Sequence, residues 1–394
     1  MNLIDHVLDM CDEVETPRSY LRWATLAAIS AIIKRQVYVE KYFYRVYPNV
    51  YVMLVGPPGI TKSYATNLSR LMVESVNSTK IVTGQNSIEG ILEYIASSEN
   101  DEKGVPKGNG NAEAFIVADE FTTLVLDNPQ AFSILTDLYD SCYKDEWPKR
   151  LKSGTIKLKK PYVTMITATN IAHFNDKLRQ VDVEGGFIGR TMVILEKERY
   201  RINSLLRKPK MIFDVTKVRE ELIRISKLEG EFKFDKDSTL VFFENWDREF
   251  KEQTREDTTG IFKRMPDSVL KVAMLNTIAE GDELVFTKAR LERAIEICRG
   301  LITNIRSVTA GVGSAANSQA MVHFMQCLIG AENHRMEHKT MLNRNYSHFD
   351  TYELAKIVET LTQAGVIRMD ISGSHRYYQM TDDAIVNYMR QKES

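Results

Sequence analysis

The chain has 394 residues, with 52 Lys+Arg against 53 Asp+Glu, and is 43% hydrophobic, 27% charged and 9% aromatic. This composition belongs to a folded globular protein with room for two or three cores, and it excludes disordered, collagen-like and disulfide-scaffold classes. The four cysteines, Cys11, Cys142, Cys298 and Cys327, lie far apart without metal-ligand spacing and are expected to be reduced and buried.

The best apolar run, Trp23 to Ile33, is shorter than the roughly 20 residues that span a bilayer and ends in Lys34-Arg35. The opening Met-Asn-Leu-Ile-Asp-His lacks a basic region followed by an apolar one, so no secretory signal and a cytoplasmic location are expected. A near-zero net charge gives no overall attraction to nucleic acid. Its local distribution is uneven, however, and Lys144 to Lys210 holds 16 Lys+Arg against 7 Asp+Glu, which is where a polyanion site is expected.

In chain order, the three-to-four spacing of apolar residues predicts helix through most of 3–35, and Gln36–Tyr44 then turns towards strand character. Asn49–Gly56 is a continuous apolar run ending in a glycine-rich turn, as in a strand buried on both faces, and a helical period resumes after Lys62-Ser63. A capped helix is expected over Ser87–Ser98, a mobile surface loop over Glu99–Asn111, and a second buried strand over Ala114–Ala118. A helix at Gln130–Tyr143, a basic alternating segment at Arg150–Lys160, and buried strands at Tyr162–Thr169 and Thr191–Leu195 follow. Strands alternating with helices imply an α/β layer with a largely parallel sheet.

Beyond residue 212 helices dominate, at Asp237–Asp257, Ser268–Ala279 and Thr287–Val308, and the small residues of Gly311–Ser318 suggest a linker. The last part reads as helices at Gln319–Gly330, His338–Leu342 and Thr351–Ala364, then two strands flanking Ser372-Gly373. This is the pattern of a winged helix, a fold that serves either DNA or protein contact. Its helix Thr351–Ala364 carries Lys356 against Glu353 and Glu359, whereas the wing carries Arg368, His375 and Arg376.

The strongest motif is Gly56-Pro57-Pro58-Gly59-Ile60-Thr61-Lys62-Ser63 between a strand and a helix that continues with Tyr64. Glycines let backbone N–H groups surround phosphates, a lysine reaches the β and γ phosphates, and a hydroxyl ligates Mg²⁺. Thr61 stands where the phosphate-loop pattern has its second glycine. Asp119-Glu120 ends the next buried strand; the aspartate suits the Mg²⁺ shell and the glutamate suits activation of water. Asn170 ends the third and can bond the attacking water or the γ-phosphate.

Lys62-Ser63, Asp119-Glu120, Asn170 and Arg190, in this order, resemble the Walker A, Walker B, sensor-1 and arginine-finger elements of an AAA+ ATPase. The variant looks most like minichromosome-maintenance-type helicases and related phage and mobile-element replicative helicases, over about residues 20–310. Three details carry this. They are the non-glycine residue before Lys62, the basic hairpin-like insert before the sensor-1 strand, and Gly185-Gly186-Phe187-Ile188-Gly189-Arg190, where Thr191 replaces a frequent aromatic.

The resemblance implies an N-terminal helical segment (1–48), an AAA+ core (49–211), a helical lid (212–310), a linker (311–318) and a winged-helix domain (319–394). It further implies ATP and Mg²⁺ as ligands, a homo-oligomeric ring, most simply a hexamer, and DNA threaded as a single strand through its pore. Arg190 would complete a neighbouring subunit's site. Lys152, Lys157, Lys159 and Lys160 would grip the DNA backbone, although lysines in this pattern also serve to blunt a strand edge. A sensor-2 cation is expected at Arg264 or Lys271. A separate primase or initiator would be a partner, no membrane is involved, and a phage-encoded chain would work in its host's cytoplasm. The implied activity is ATP-driven DNA unwinding during phage or mobile-element replication; a helicase loader, or a DNA-binding regulatory ATPase that separates no strands, is the alternative.

Overall fold

The computed structural model describes residues 2–84, 87–97, 111–124, 130–151, 154–171, 186–203, 213–254, 261–309, 316–345, 349–373 and 375–386. The chain divides into two compact units, Met1–Ala310 and Gly311–Ser394.

The first unit opens with α1 (Leu3–Met10) and α2 (Arg18–Ile33). Nearly every residue of α2 is buried because the helix packs on α3 (Lys62–Val76) and against the sheet, so the apolar run Trp23 to Ile33 is an interior helix. Its buried hydroxyls are satisfied: Thr25 donates to the Leu21 carbonyl, and Ser30 bonds Thr164 Oγ1 at 2.7 Å. Among the described residues no helix is long and apolar enough to cross a membrane. A hairpin of β1 (Val37–Lys41) and β2 (Tyr44–Val46) follows.

The core is an all-parallel five-stranded sheet formed by β3 (Tyr51–Val55), β4 (Lys80–Thr83), β5 (Glu113–Ala118), β8 (Tyr162–Thr169) and β9 (Thr191–Leu195). Its spatial order is β4-β5-β8-β3-β9. All residues of β3, β5 and β8 are buried, which is why they read as unbroken apolar runs. The edge strand β4 escaped the sequence reading: four residues, only one of them buried, carry too little periodicity.

Between β4 and β5 lies α4 (Ile88–Ala96), where Ser87 Oγ accepts the Gly90 N–H at 3.1 Å. That is the expected cap without its reciprocal arm, because glycine at the third position has no side chain to return the bond. The expected loop Glu99–Asn111 lies outside the described residues except for Asn111. After α5 (Phe121–Leu124) and α6 (Ala131–Asp140), the basic segment forms an antiparallel hairpin, β6 (Glu146–Leu151) with β7 (Gly154–Lys159).

The segment after 212 departs from a purely helical reading. Besides α7 (Thr216–Ile225), α8 (Asp237–Gln253), α9 (Ile261–Glu280) and α10 (Lys288–Thr309), it holds the short strands β10 (Gly230–Glu231), β11 (Lys233–Phe234) and β12 (Val285–Phe286). β10 joins β1 and β11 joins β12, pairings of two residues that leave no local pattern. Helix α9 begins well before Ser268 and runs through Pro266, a residue that removes one ladder N–H without ending the helix.

The second unit contains α11 (Ala316–Ile329), β13 (Arg335–Glu337), α12 (His338–Asn345), α13 (Thr351–Gln363), β14 (Ile367–Ser372) and β15 (His375–Met380). The three strands form an antiparallel sheet in the order β13-β15-β14 over a core that includes Phe324, Met341, Leu354 and Tyr378. α13 starts with a full capping box between Asp350 and Glu353. The expected linker lies outside the described residues up to 315, and α11 begins at Ala316, inside its predicted end.

Candidate functional site

In a parallel sheet every strand ends on the same edge, so the residues that follow β3, β5 and β8 converge there. Gly56, immediately after β3, donates its N–H to the Thr169 carbonyl at 3.3 Å, which ties the loop to the end of β8. A Cβ at Gly56 would lie 2.6 Å from both the Glu196 carbonyl oxygen and Tyr20 Oη, so only glycine fits. Pro57, Pro58 and Gly59 are exposed, and Ile60 is buried as the anchor beneath them. Gly59 has φ +81°, and Arg199 Nη2 would lie 3.5 Å from a Cβ there, so this arginine flanks the loop.

Thr61 has φ +59° and ψ +35°, a left-handed conformation natural to glycine and strained for a β-branched residue. Its hydroxyl oxygen lies 2.9 Å from Thr16 Oγ1, and Thr16 is fully buried. The departure from the phosphate-loop pattern therefore occurs at a position where the backbone still adopts the glycine conformation, with Thr16 as a brace.

Lys62 Nζ donates to the carbonyls of Gly56 (2.8 Å) and Pro57 (2.9 Å), which holds the ammonium across the loop. Burial lowers its pKa and the Glu120 charge opposes that shift. Ser63 is exposed on the first turn of α3. Tyr64 is different: its hydroxyl lies 3.9 Å from Cys11 Sγ on the α1 side, so its side chain belongs to the packing of the N-terminal helices and only its backbone flanks the loop.

Two threonines that the sequence reading missed organise the carboxylates. Thr66 Oγ1 donates to Asp119 Oδ1 at 2.5 Å, which ties the start of β5's loop to α3 one turn beyond Ser63. Thr169 Oγ1 donates to Glu120 Oε1 at 2.8 Å, and Asn170 follows it directly. A cavity of about 290 Å³ opens beside the two carboxylates, bounded by Asn67, Arg70, Thr83 and Gly84. Asp119 is thus bonded to the helix residue one turn beyond Ser63, and a serine hydroxyl and an aspartate are a donor set that suits Mg²⁺, which keeps several waters and needs few protein ligands. Among the described residues no cluster of three or more His, Cys, Asp or Glu could hold a metal.

Arg190 lies at the other edge of the sheet, just before β9, and is buried. Its Nε donates to Asp140 Oδ1 at 2.9 Å, its Nη2 to Asp140 Oδ2, and its Nη1 to the Gly186 carbonyl at 2.8 Å. Gly185, the first residue of the glycine motif, is outside the described residues. Lys271 and Arg264 are also at that edge. Lys271 is 1% exposed and donates to Asn49 Oδ1 and to Tyr139 Oη, both at 2.7 Å, while Arg264 lines a small cavity with Asp140 and Lys271. Asn49 precedes β3 and Gly56 follows it, roughly 20 Å away along an extended chain. Neither candidate for the sensor-2 cation is therefore brought to its own chain's loop. The reason is that α9 packs on the edge where the strands begin.

On the β6–β7 hairpin, the register Pro148↔Lys157 and Glu146↔Lys159 places Lys157 and Lys159 on one face, exposed, while Trp147 and Leu158 on the other are buried against the protein. Lys160 is exposed at its root, and Lys152 lies outside the described residues. Comparison with protein-family models and with curated proteins returns no match to this chain.

Proposed function

We propose that the chain is an AAA+-type ATPase that assembles as a ring and uses ATP hydrolysis to translocate on and unwind DNA, in the replication of a phage or mobile element. The observation that carries the proposal is the convergence of the Gly56–Ser63 loop, Asp119, Glu120 and Asn170 on one sheet edge, with Thr66 and Thr169 fixing the two carboxylates. The strand ending in Asn170 lies between the loop strand and the carboxylate strand, so a γ-phosphate over the loop would meet Glu120 and Asn170 together.

In this reading the loop N–H groups and Lys62 hold the phosphates. Ser63 and Asp119 would hold Mg²⁺, which supplies neutralisation of phosphate charge. Glu120 accepts the proton of the attacking water, and Asn170 orients that water against the γ-phosphate. Arg190 sits on the edge away from its own chain's loop, and action on a neighbour's nucleotide would require its guanidinium to leave Asp140 for the phosphate. The exposed lysine face of β7 suits a sequence-independent grip on DNA phosphates. The helices and three-stranded antiparallel sheet of the second unit support reading it as a winged helix, whose wing would be the β14–β15 hairpin, where Arg368 and Arg376 are exposed.

ATP-dependent strand separation on forked duplexes of both polarities tests the proposal, using wild type, Glu120→Gln and Lys157→Ala/Lys159→Ala/Lys160→Ala. Expected are unwinding by wild type alone, and basal hydrolysis without DNA stimulation in the lysine variant. Hydrolysis without unwinding on either fork would favour a loader or regulatory ATPase instead.

A further inference from the structure

The turn between β1 and β2 leaves Tyr42 97% and Phe43 92% exposed, although an aromatic ring is stabilised by burial. The presentation is held from behind. Lys41 Nζ donates to Asp267 Oδ1 at 2.6 Å and Tyr44 Oη donates to Asp267 Oδ2 at 3.2 Å, so both residues flanking the tip are anchored to α9. Tyr42 itself, at φ +51°, makes the tight turn.

From the tip a row of rings leads to the basic hairpin. Phe43 and Tyr44 have centroids 5.5 Å apart, and Tyr44 meets Tyr143 edge-on at 5.8 Å. Lys144 follows Tyr143 in the chain, and the Lys160 N–H donates to the Asp145 carbonyl at 2.7 Å, so the root of β6–β7 adjoins the aromatic row. Residues 144–160 hold seven Lys+Arg against two Asp+Glu, and Lys144, Lys157, Lys159 and Lys160 are all exposed. Of the carboxylates nearby, Glu40 is engaged by Arg45 at 3.0 Å and Asp145 lies 4.0 Å from Arg35, while Glu146 is exposed. The core of a protein-docking patch is depleted of charge, whereas cations beside exposed rings are the arrangement that binds single strands.

We propose that Tyr42 and Phe43 are a base-stacking platform for single-stranded nucleic acid whose phosphates run onto the lysine face of β6–β7. The platform extends the DNA-gripping role given to that hairpin under the proposed function and rests on it. Stacking is indifferent to base identity because every base has a π-face, so the platform adds affinity without sequence preference.

The test is anisotropy of a labelled oligothymidylate titrated with the full-length chain across a salt series. Expected for Tyr42→Ala/Phe43→Ala is binding weakened about 10- to 100-fold with the salt slope unchanged, since no phosphate contact is removed. Lys157→Ala/Lys159→Ala should flatten the slope instead. Phe43→Trp should keep wild-type affinity and add a fluorescence signal quenched by the oligonucleotide. Wild-type affinity in the aromatic double variant, with the lysine variant still impaired, would overturn the platform alone. A loss accompanied by a changed sedimentation profile would overturn it in favour of contact with a second copy of the chain. Absence of any single-strand binding by wild type would overturn both the platform and the DNA role of the hairpin.

Discussion

Thr169 and Glu120 are joined across adjacent strands by a 2.8 Å hydrogen bond in which the threonine hydroxyl donates to Oε1 of the carboxylate. The bond fixes one oxygen of the residue proposed to activate water and does not involve the other. Thr169→Val keeps the shape of the side chain and removes the donor. Hydrogen bonds to charged groups contribute about 1.5–3 kcal/mol, so kcat for ATP hydrolysis should fall roughly 10- to 100-fold with KM little changed, and Thr169→Ser should restore most of it. An unchanged kcat in Thr169→Val would show that Glu120 needs no such support.

The strained loop position gives a second expectation. Thr61→Gly relieves a left-handed threonine, worth about 1–2 kcal/mol, and removes the hydroxyl contact with Thr16, worth about 1 kcal/mol. The net stability change should lie within about 1 kcal/mol, with nucleotide affinity retained. Urea midpoints and a fluorescent nucleotide titration measure both, and loss of nucleotide binding would contradict the loop geometry described above.

Arg190 offers a test of action between subunits. If it serves a neighbour, Lys62→Ala supplies an intact arginine and Arg190→Ala an intact loop, so two inactive variants should recover ATPase activity when mixed. Activity that stays at zero over a range of mixing ratios, with assembly verified by sedimentation, would place the defect within each chain. That result would make the Asp140 pair a purely structural contact.

Lys271 governs a pH effect. Burial lowers its pKa from 10.5 to about 8, an effect that nearby Cys142 and Asp267 only partly offset. Between those values the unfolded chain keeps the proton that the folded chain has lost, so stability rises with pH there; below about pH 8 both states are protonated and the burial cost of about 3 kcal/mol is present in full. The stability of wild type relative to Lys271→Met should therefore increase from pH 7 to pH 9.5, as read from urea midpoints. A difference independent of pH would show that Lys271 titrates normally.

The parallel sheet was legible because its central strands are buried on both faces, so β3, β5, β8 and β9 each read as a short apolar run ending in a polar or glycine residue. The lysine alternation of β7 likewise follows from one face packing through Leu158. Strands β4, β10, β11, β12 and β13 were not legible, since each has four residues or fewer and depends on a distant partner for its existence. The Thr66 and Thr169 contacts were hidden for a related reason. A hydroxyl at 66 or 169 reads as ordinary helix or strand composition until another strand places a carboxylate beside it.

Local order along the chain thus determined which residues lie at strand ends and which form the glycine-rich loop after β3, because burial period and loop composition are properties of neighbours in sequence. Only the tertiary structure decided which edge each group occupies. Strand order brings Glu120 and Asn170 to Gly56, whereas the packing of α9 carries Arg264 and Lys271 to the opposite edge with Arg190. The exposure of Tyr42 and Phe43 was equally a tertiary outcome: the β1–β2 hairpin is anchored through Asp267, more than two hundred residues away, and that anchor turns two aromatic residues outward that composition alone would have assigned to the core.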